Sequence, residues 1–205
     1  MRGLFITFEG IDGCGKSTQI DFLTKRFTKM KKPVVKTEEP GGTDGSNEIR
    51  KILLRENNFQ WSVETEALLF MAARIDHVEK VIRPSIKDNK IVICDRFMDS
   101  TLVYQGMRSS QAKQLSLTLF ELIAINPDIT FLIDMEPEIA LNRALSRSTE
   151  EDRFENYGIN FQHELRKNFL HIARNHSDRI KIINGNQSPE DVAAQINDSI
   201  KTLAL

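Results

Sequence analysis

The chain has 205 residues and a net charge of −1, which provides no basic field for gripping nucleic acid and no acidic bias. Hydrophobic residues at 40% and charged residues at 28% suit one globular domain with a full core, and the length leaves little room for a second. Two distant cysteines and four histidines without an HExxH pair exclude a disulfide framework and argue against a protein-ligated zinc.

The opening residues, MRGLFITFEG, are apolar over too short a run for a signal peptide or membrane span, so a soluble cytoplasmic protein is expected. A first strand is predicted over 4–8 and runs straight into FEGIDGCGKST. From Gly10 to Ser17 this stretch fits G-x-x-x-x-G-K-[ST], and it opens a helix predicted over 15–30. Gly10, Ile11, Asp12, Gly13, Cys14 and Gly15 would turn backbone N–H groups toward a polyphosphate, aided by the helix N-terminus. Lys16 would bridge the β- and γ-phosphates, Ser17 would offer its hydroxyl to Mg²⁺, and Thr18 would support the α-phosphate side. Asp12 is unexpected in a loop that wraps an anion, and Gly13 brings no charge. Cys14 reads as a small filler, or alternatively as a thiol made reactive by the helix N-terminus.

A second strand is predicted over 34–37, followed by Glu38-Glu39-Pro40-Gly41-Gly42-Thr43 and a helix over 45–56 that carries Arg50. A long helix over 62–82 starts at Ser62, a good N-cap, with Glu64 and Glu66 in its first turn. Phe70 and Arg74 lie four apart on it and point the same way, an aromatic face beside a planar donor that suits a nucleobase. The third strand, 91–94, ends at Asp95-Arg96, where a rigid guanidinium fork suits a phosphate. Ser100, Thr101, Tyr104 and Gln105 come next, readable as site residues or as caps and turns.

The remaining predicted elements are helices over 113–125, 137–147, 160–176 and 189–203, with strands over 129–133 and 180–183. The stretch RSTEEDRFENYG, 147–158, is polar and charged, and is expected to be a mobile excursion. Nearly continuous Val/Ile/Phe strands alternating with helices predict an α/β fold around a five-stranded parallel sheet. Ligands of such sheets gather beyond the strands' carboxyl ends, here Glu9-Gly10, Glu38-Glu39, Asp95-Arg96, Asp134 and Asn184-Gly185. A GTPase switch would also show D-x-x-G and N-K-x-D, and neither is present.

The series FEGIDGCGKST, EEPGGT, LLFMAARIDH, CDRF, STLVYQG, PDITFLID, RSTEEDRFE and INGNQSPEDV resembles, in order and spacing, the thymidylate kinases over essentially the whole length. The resemblance implies a P-loop kinase fold, residues 1–205 forming one domain with a short mobile lid at about 147–158. It implies transfer of the γ-phosphate of ATP to dTMP, with Mg²⁺, in a homodimer packed through the 62–82 and 113–125 helices. Lys16, Arg96, Arg147 and Arg153 take the catalytic roles in this reading; no general base is needed, since the acceptor is already an ionised phosphate. Some members carry an extra arginine at the position of Gly13, whereas here Arg147 and Arg153 would supply it from the lid.

Arg143 would face adenine, with residues 184–187 on its other side. In the dTMP site, Phe70 would stack on thymine, Arg74 would donate to O4, and Thr101 and Gln105 would help read the base. Ser100 and Glu39 would line that site, and Tyr104 would crowd the sugar 2′ position. Arg50 and Arg96 would hold the acceptor phosphate, Asp95 would hold Mg²⁺ through water, and Asp12 would accept from the sugar 3′-hydroxyl. Many members have arginine where this chain has Glu38, so Glu38→Arg is expected to lower the dTMP KM. The competing readings are another nucleoside monophosphate kinase, for uridylate, cytidylate or adenylate, and a non-catalytic P-loop nucleotide-binding module.

Overall fold

The computed structural model describes residues 3–54, 61–146 and 154–201, apart from the side chain of Glu155. Five strands form one parallel sheet: β1 (Leu4–Glu9), β2 (Val34–Glu38), β3 (Ile91–Asp95), β4 (Ile129–Asp134) and β5 (Ile180–Asn184), in the order β2-β3-β1-β4-β5. All five coincide with predicted strands to within a residue, because each is a short apolar run long enough to cross a buried sheet once. Alternate residues serve opposite faces. Ile6, Phe8, Ile91 and Ile93 join Ile20, Leu23 and Phe27, whereas Phe5, Val92 and Cys94 join Met71, Val78, Ile82 and Phe97.

The register brings the carboxyl ends level: Phe8 pairs with Asp95, Glu38 with Asp95, and Asp134 with Asn184. Chain direction across the sheet changes at β1, so the loop after β1 opens between the ends of β3 and β4.

The helices are α1 (Lys16–Lys29), α2 (Asp44–Leu54), α3 (Val63–His77), α4 (Arg83–Lys87), α5 (Met98–Tyr104), α6 (Ser110–Ile123), α7 (Pro137–Leu145), α8 (Ile159–Asn175) and α9 (Pro189–Ile200). The helix ends predicted at 56 and 203 lie outside the described residues.

Two elements differ from expectation. The 62–82 helix gives way at Val78–Ile82 to a π-turn and continues as α4. Pro84 cannot donate to the carbonyl four residues earlier and its ring crowds that position, so the wider turn absorbs it. Residues 98–104, for which no helix was predicted, form one, α5. At seven residues it is too short to stand on its own propensity, and tertiary partners hold it. Glu9 accepts from the Phe97 and Ser100 N–H groups that open its first turn. Arg179 grips Asp99 with two bonds of 2.8 and 2.9 Å and bonds Thr130, which in turn meets Thr7.

Of the 147–158 stretch only residues from Phe154 onward are described. Phe154 is buried, edge-on to Tyr104 at 5.1 Å, and a 3-10 turn at Glu155–Tyr157 leads into α8. An aromatic in a charged stretch is the residue that such a segment would dock by.

Candidate active site

The loop from Gly10 to Gly15 sits where the motif requires, with Gly13 and Gly15 at φ of 78° and 99° and α1 beginning at Lys16. Gly13 has no alternative. A Cβ there would stand 1.9 Å from the Ala140 carbonyl oxygen of α7, so α7 occupies the space that an arginine at this position would need. Lys16 is buried and its ammonium donates to the Gly10 and Ile11 carbonyls at 3.0 and 3.1 Å. Ile11 and Cys14 are core residues. Burial pushes the Cys14 thiol up, against the pull of Lys16 and Arg96, so the structure favours the filler over the reactive thiol.

Asp12 receives the strongest charge interactions in the loop. Arg96 Nη2 donates to its Oδ1, the Tyr104 hydroxyl donates to Oδ2 at 2.9 Å, and Lys16 Nζ lies 4.0 Å away. Burial raises the Asp12 pKa, but Arg96, Lys16 and Tyr104 outweigh it and hold the group at about 2. Arg96 itself is left-handed, φ 65°, a conformation that costs a non-glycine residue about 1–2 kcal/mol. It is kept there by Asp12, the Gly10 carbonyl at 3.0 Å, the Ser100 hydroxyl at 2.9 Å and the Tyr104 ring, 5.1 Å from the guanidinium. Burial would lower the Arg96 pKa; Asp12, Tyr104, Asp95 and Glu9 more than reverse this, and the group stays charged.

Two cavities meet at Asp12, Gly13, Glu39, Arg50 and Arg96, which line both. The larger, of about 260 Å³, is walled by Phe70 and Arg74 of α3, Ser100, Thr101 and Tyr104 of α5, and Gln105. Every one of these was expected there, and α5 is what brings three of them, with Gln105 just past its end, together with α3. Leu54, Ala144 and Phe154 complete the wall; no local pattern marked them, since they line the cavity only through packing. Arg74 is 2% exposed and almost fully engaged: Nε meets Glu39 at 2.6 Å, and Nη2 meets the Phe97 carbonyl and Thr101 Oγ1 at 3.0 and 3.1 Å. Its Nη1 faces only the sulfurs of Met71 and Met98, which are weak acceptors. Gln105 has Nε2 3.4 Å from the fully buried Glu66, which also pairs with Arg108 at 2.7 Å. Since Glu66 takes the donor side of the amide, the acceptor side of Gln105 is the one left for the cavity.

The second cavity, about 190 Å³, lies over the P-loop and is almost wholly polar. Three cations line it, Lys16, Arg50 and Arg96, against four carboxylates, Asp12, Glu38, Glu39 and Asp95. A polyphosphate therefore needs positive charge beyond what these residues bring. Ser17 and Asp95 fit a hard divalent cation: Ser17 Oγ is 3.5 Å from Asp95 Oδ2, while Asp95 Oδ1 is buried with no partner among the described residues. Arg147 and Arg153, the expected further cations, lie outside the described residues. Arg50 Nη1 donates at 3.1 Å to the exposed Glu38 and at 2.8 Å to the Pro40 carbonyl.

A third cavity, about 100 Å³, is walled by Gly13, Cys14, Thr18 and Gln19 on one side and Arg143, Gly185, Gln187 and Pro189 on the other. Arg143 and two residues of the 184–187 loop, Gly185 and Gln187, thus line one cavity together. Gln19 was not anticipated; its Nε2 donates to the Pro189 carbonyl at 2.9 Å and ties α1 to the first residue of α9.

The one donor cluster with metal-like composition among the described residues is Glu39, His77 and Cys94, all buried. Its donors are already spent on Arg74, Thr37 and each other, and burial beside Glu39 raises the Cys94 thiol well above its usual range. It is a hydrogen-bonded cluster.

Glu9, buried below Arg96, accepts from Phe97, Ser100 N and Ser100 Oγ. Burial and the nearby Asp99 raise its pKa to about 7, although Arg96 and the hydrogen bonds pull the other way. A carboxyl raised in the folded state keeps its proton between about pH 4.5 and 7 while the unfolded chain has lost it, so its contribution to stability declines as pH rises through that window. Glu9→Gln keeps an acceptor for the two N–H groups and does not titrate. The difference in unfolding free energy between variant and parent should move toward the variant by up to about 1.4 kcal/mol per pH unit across this window. Urea denaturation at pH 5 and pH 8 measures it, and a pH-independent difference contradicts the assignment.

The thymidylate kinase family model matches residues 8–196. Among curated relatives, the thymidylate kinase of Ruegeria pomeroyi is 46% identical over 201 residues, 98% of this chain and 95% of that protein. The thymidylate kinase of Dinoroseobacter shibae is 47% identical over 195 residues, 95% and 94% of the two chains. The crystal structure of thymidylate kinase from Ehrlichia chaffeensis superposes with a TM-score of 0.77 at 32% identity, covering 98% and 99% of the two chains. With a sheet order, a phosphate loop and a nucleotide-sized cavity already in place, this chain belongs to the thymidylate kinase family.

Proposed function

We propose that the chain transfers the γ-phosphate of ATP to dTMP, giving dTDP and ADP, with the two nucleotides meeting at Asp12 and Arg96. The observation that carries this reading is the pair of cavities sharing that seam, one lined by base-reading groups and the other by the P-loop. Phe70 offers a stacking face, Arg74 Nη1 a donor for O4, and Gln105 an acceptor for the ring N3–H, a pattern that thymine satisfies and cytosine inverts. Tyr104, wedged beside Asp12, stands on the sugar side and disfavours a 2′-hydroxyl.

Lys16 would leave its loop carbonyls for the β- and γ-phosphates, and Arg96 and Arg50 would hold the acceptor phosphate. Ser17 and Asp95 would hold Mg²⁺, directly or through water, and when bound the ion offsets charge on the triphosphate oxygens. The adenine lies between Arg143 and the 184–187 loop. In this reading Arg147 and Arg153 would close over the transferred group on a lid, the 147–158 segment of a single kinase domain, with Phe154 packed on Tyr104 as its anchor. Four carboxylates against three cations at the P-loop cavity support this demand for lid and metal charge. Closure would also exclude water from the transferred phosphoryl group.

Steady-state assays with ATP-Mg²⁺ against dTMP, dUMP, UMP, dCMP, AMP and thymidine test the assignment; preference for any acceptor but dTMP overturns it. Asp12→Ala should raise the dTMP KM about tenfold or more by releasing Arg96 and Tyr104, while ATP affinity measured by calorimetry stays within about twofold. Glu38→Gln removes from Arg50 an exposed ion pair worth at most about 1 kcal/mol and leaves its bond to the Pro40 carbonyl, so the dTMP KM should fall about two- to fivefold. An unchanged value shows that Arg50 already serves the phosphate with Glu38 in place.

We infer a cytoplasmic homodimer. No described helix is long and apolar enough to cross a membrane. Leu68 and Ile75, two turns apart on α3, and Leu122 on the adjacent α6 are exposed, which supports burial of this face against a second copy. Sedimentation of Leu68→Glu with Leu122→Glu should show a monomer where the parent shows a dimer; unchanged sedimentation places the contact elsewhere.

A further inference from the structure

We propose that His77 is a positioning residue for base recognition, acting through Glu39 on the Arg74 guanidinium. The inference rests on the reading of Arg74 as the group that reads the base. His77 is completely buried and lines neither the base cavity nor the P-loop cavity, so it has no route to substrate of its own. Its two ring nitrogens are both engaged: Nε2 pairs with the Thr37 hydroxyl at 2.7 Å, and Nδ1 with Glu39 Oε1 at 2.9 Å. The other Glu39 oxygen accepts from Arg74 Nε at 2.6 Å. Facing an ion-paired carboxylate, which only accepts, Nδ1 carries the proton and donates.

The geometry follows from two periodicities. Thr37 and Glu39 are two apart at the end of β2, so they share a face; the Glu39 N–H still bonds the Asp95 carbonyl at 2.9 Å in continuation of the ladder. Arg74 and His77 are three apart on α3 and share a face of the helix. Two strand-end side chains therefore interlock with two helix side chains. Glu39 is gripped from both sides, its carboxylate plane set by His77 and its second oxygen aimed at Arg74. At 0%, 5% and 2% exposure for His77, Glu39 and Arg74, water has no access to replace a missing partner. The loop above closes the enclosure. A Cβ on Gly42, at φ 85°, would fall 2.4 Å from the His77 ring and 2.6 Å from Thr37 Oγ1.

Without the imidazole donor, the Glu39 carboxylate loses one of its two anchors and can rotate. Arg74 then keeps its charge but not the direction in which Nη1 is presented. Among the described residues the Glu39 carboxylate bonds Arg74 and His77 and neither Lys16 nor Arg96, so the defect belongs to binding and discrimination of the base and not to the transfer step.

The test compares purified His77→Leu, His77→Asn and Thr37→Val with the parent and with Arg74→Gln, using active-site concentrations. His77→Leu should raise the dTMP KM about tenfold and lower the dTMP-over-dCMP ratio of kcat/KM by a similar factor, the size of one lost charge-assisted hydrogen bond. Its kcat and ATP KM should stay within about twofold. His77→Asn, whose amide nitrogen replaces Nδ1 at the same distance from Cβ, should restore most of the discrimination. Thr37→Val, nearly isosteric, should shift the same ratio by a smaller factor and keeps the proposal testable if the leucine variant does not fold. Variants that only lower the melting temperature, with parental KM and discrimination, overturn the proposal. So does failure of the asparagine to rescue a leucine variant whose discrimination has fallen. If Arg74→Gln itself leaves discrimination unchanged, the reading of Arg74 fails and this proposal fails with it. If Arg74→Gln abolishes discrimination and His77→Leu does not alter it, the positioning role alone is wrong.

Discussion

The pairing of Arg96 with Asp12 is the interaction on which the site is assembled. It joins the loop after β1 to the turn after β3, two neighbours in the sheet whose ends the register sets level. Arg96 must enter a left-handed backbone to reach, and the cost of about 1–2 kcal/mol is offset by a charge-assisted bond, a carbonyl, a hydroxyl and an aromatic face around one guanidinium. The same arrangement places a fixed cation at the seam of the two cavities. It keeps Asp12 ionised, so that a carboxylate and a guanidinium stand together where donor and acceptor phosphates would meet.

Behind this seam stands a second tier of acids, none of which faces substrate freely. Glu9 organises the first turn of α5 and holds the Ser100 hydroxyl that supports Arg96. Glu39 sets Arg74 against α3, and Glu66 sets Gln105 and Arg108. Each is buried, and each has donors on more than one of its sides. Buried carboxylates are expensive unless paired, so their presence in a row beneath one cavity is explained by what they orient. The interior of this site is thus stiff around the base and sparing in positive charge around the phosphates. That division suits the proposed reaction, in which a metal ion and further arginines would complete the transfer site.

Gly13 illustrates how packing limits chemistry. An arginine at this loop position has no room, because α7 passes so close that the Ala140 carbonyl stands where a Cβ would be. Neutralising charge must then come from elsewhere in the chain, and the 147–158 stretch holds two arginines and the aromatic anchor Phe154. The backbone approach of one helix bears directly on which catalytic strategy is open.

Much of this was readable from the residue order. The phosphate loop follows from spacing, because three glycines, a lysine and a serine must fall at set intervals to wrap phosphates. The five strands follow from apolar runs of the right length, and the Phe70–Arg74 pair from the helical repeat. These are local rules, decided within a turn or a strand. What only the tertiary structure decided are the long-range partners. Residues 98–104 become a helix because Glu9 and Arg179, 88 and 80 positions away from Phe97 and Asp99, hold them. Cys14 is a buried filler because burial outweighs its basic neighbours. Arg50 meets Glu38, and His77 joins Thr37 to Glu39, across separations that no periodicity records. Sequence spacing speaks for side chains on one element; hydrogen-bond partners on different elements are chosen when the sheet brings their ends together.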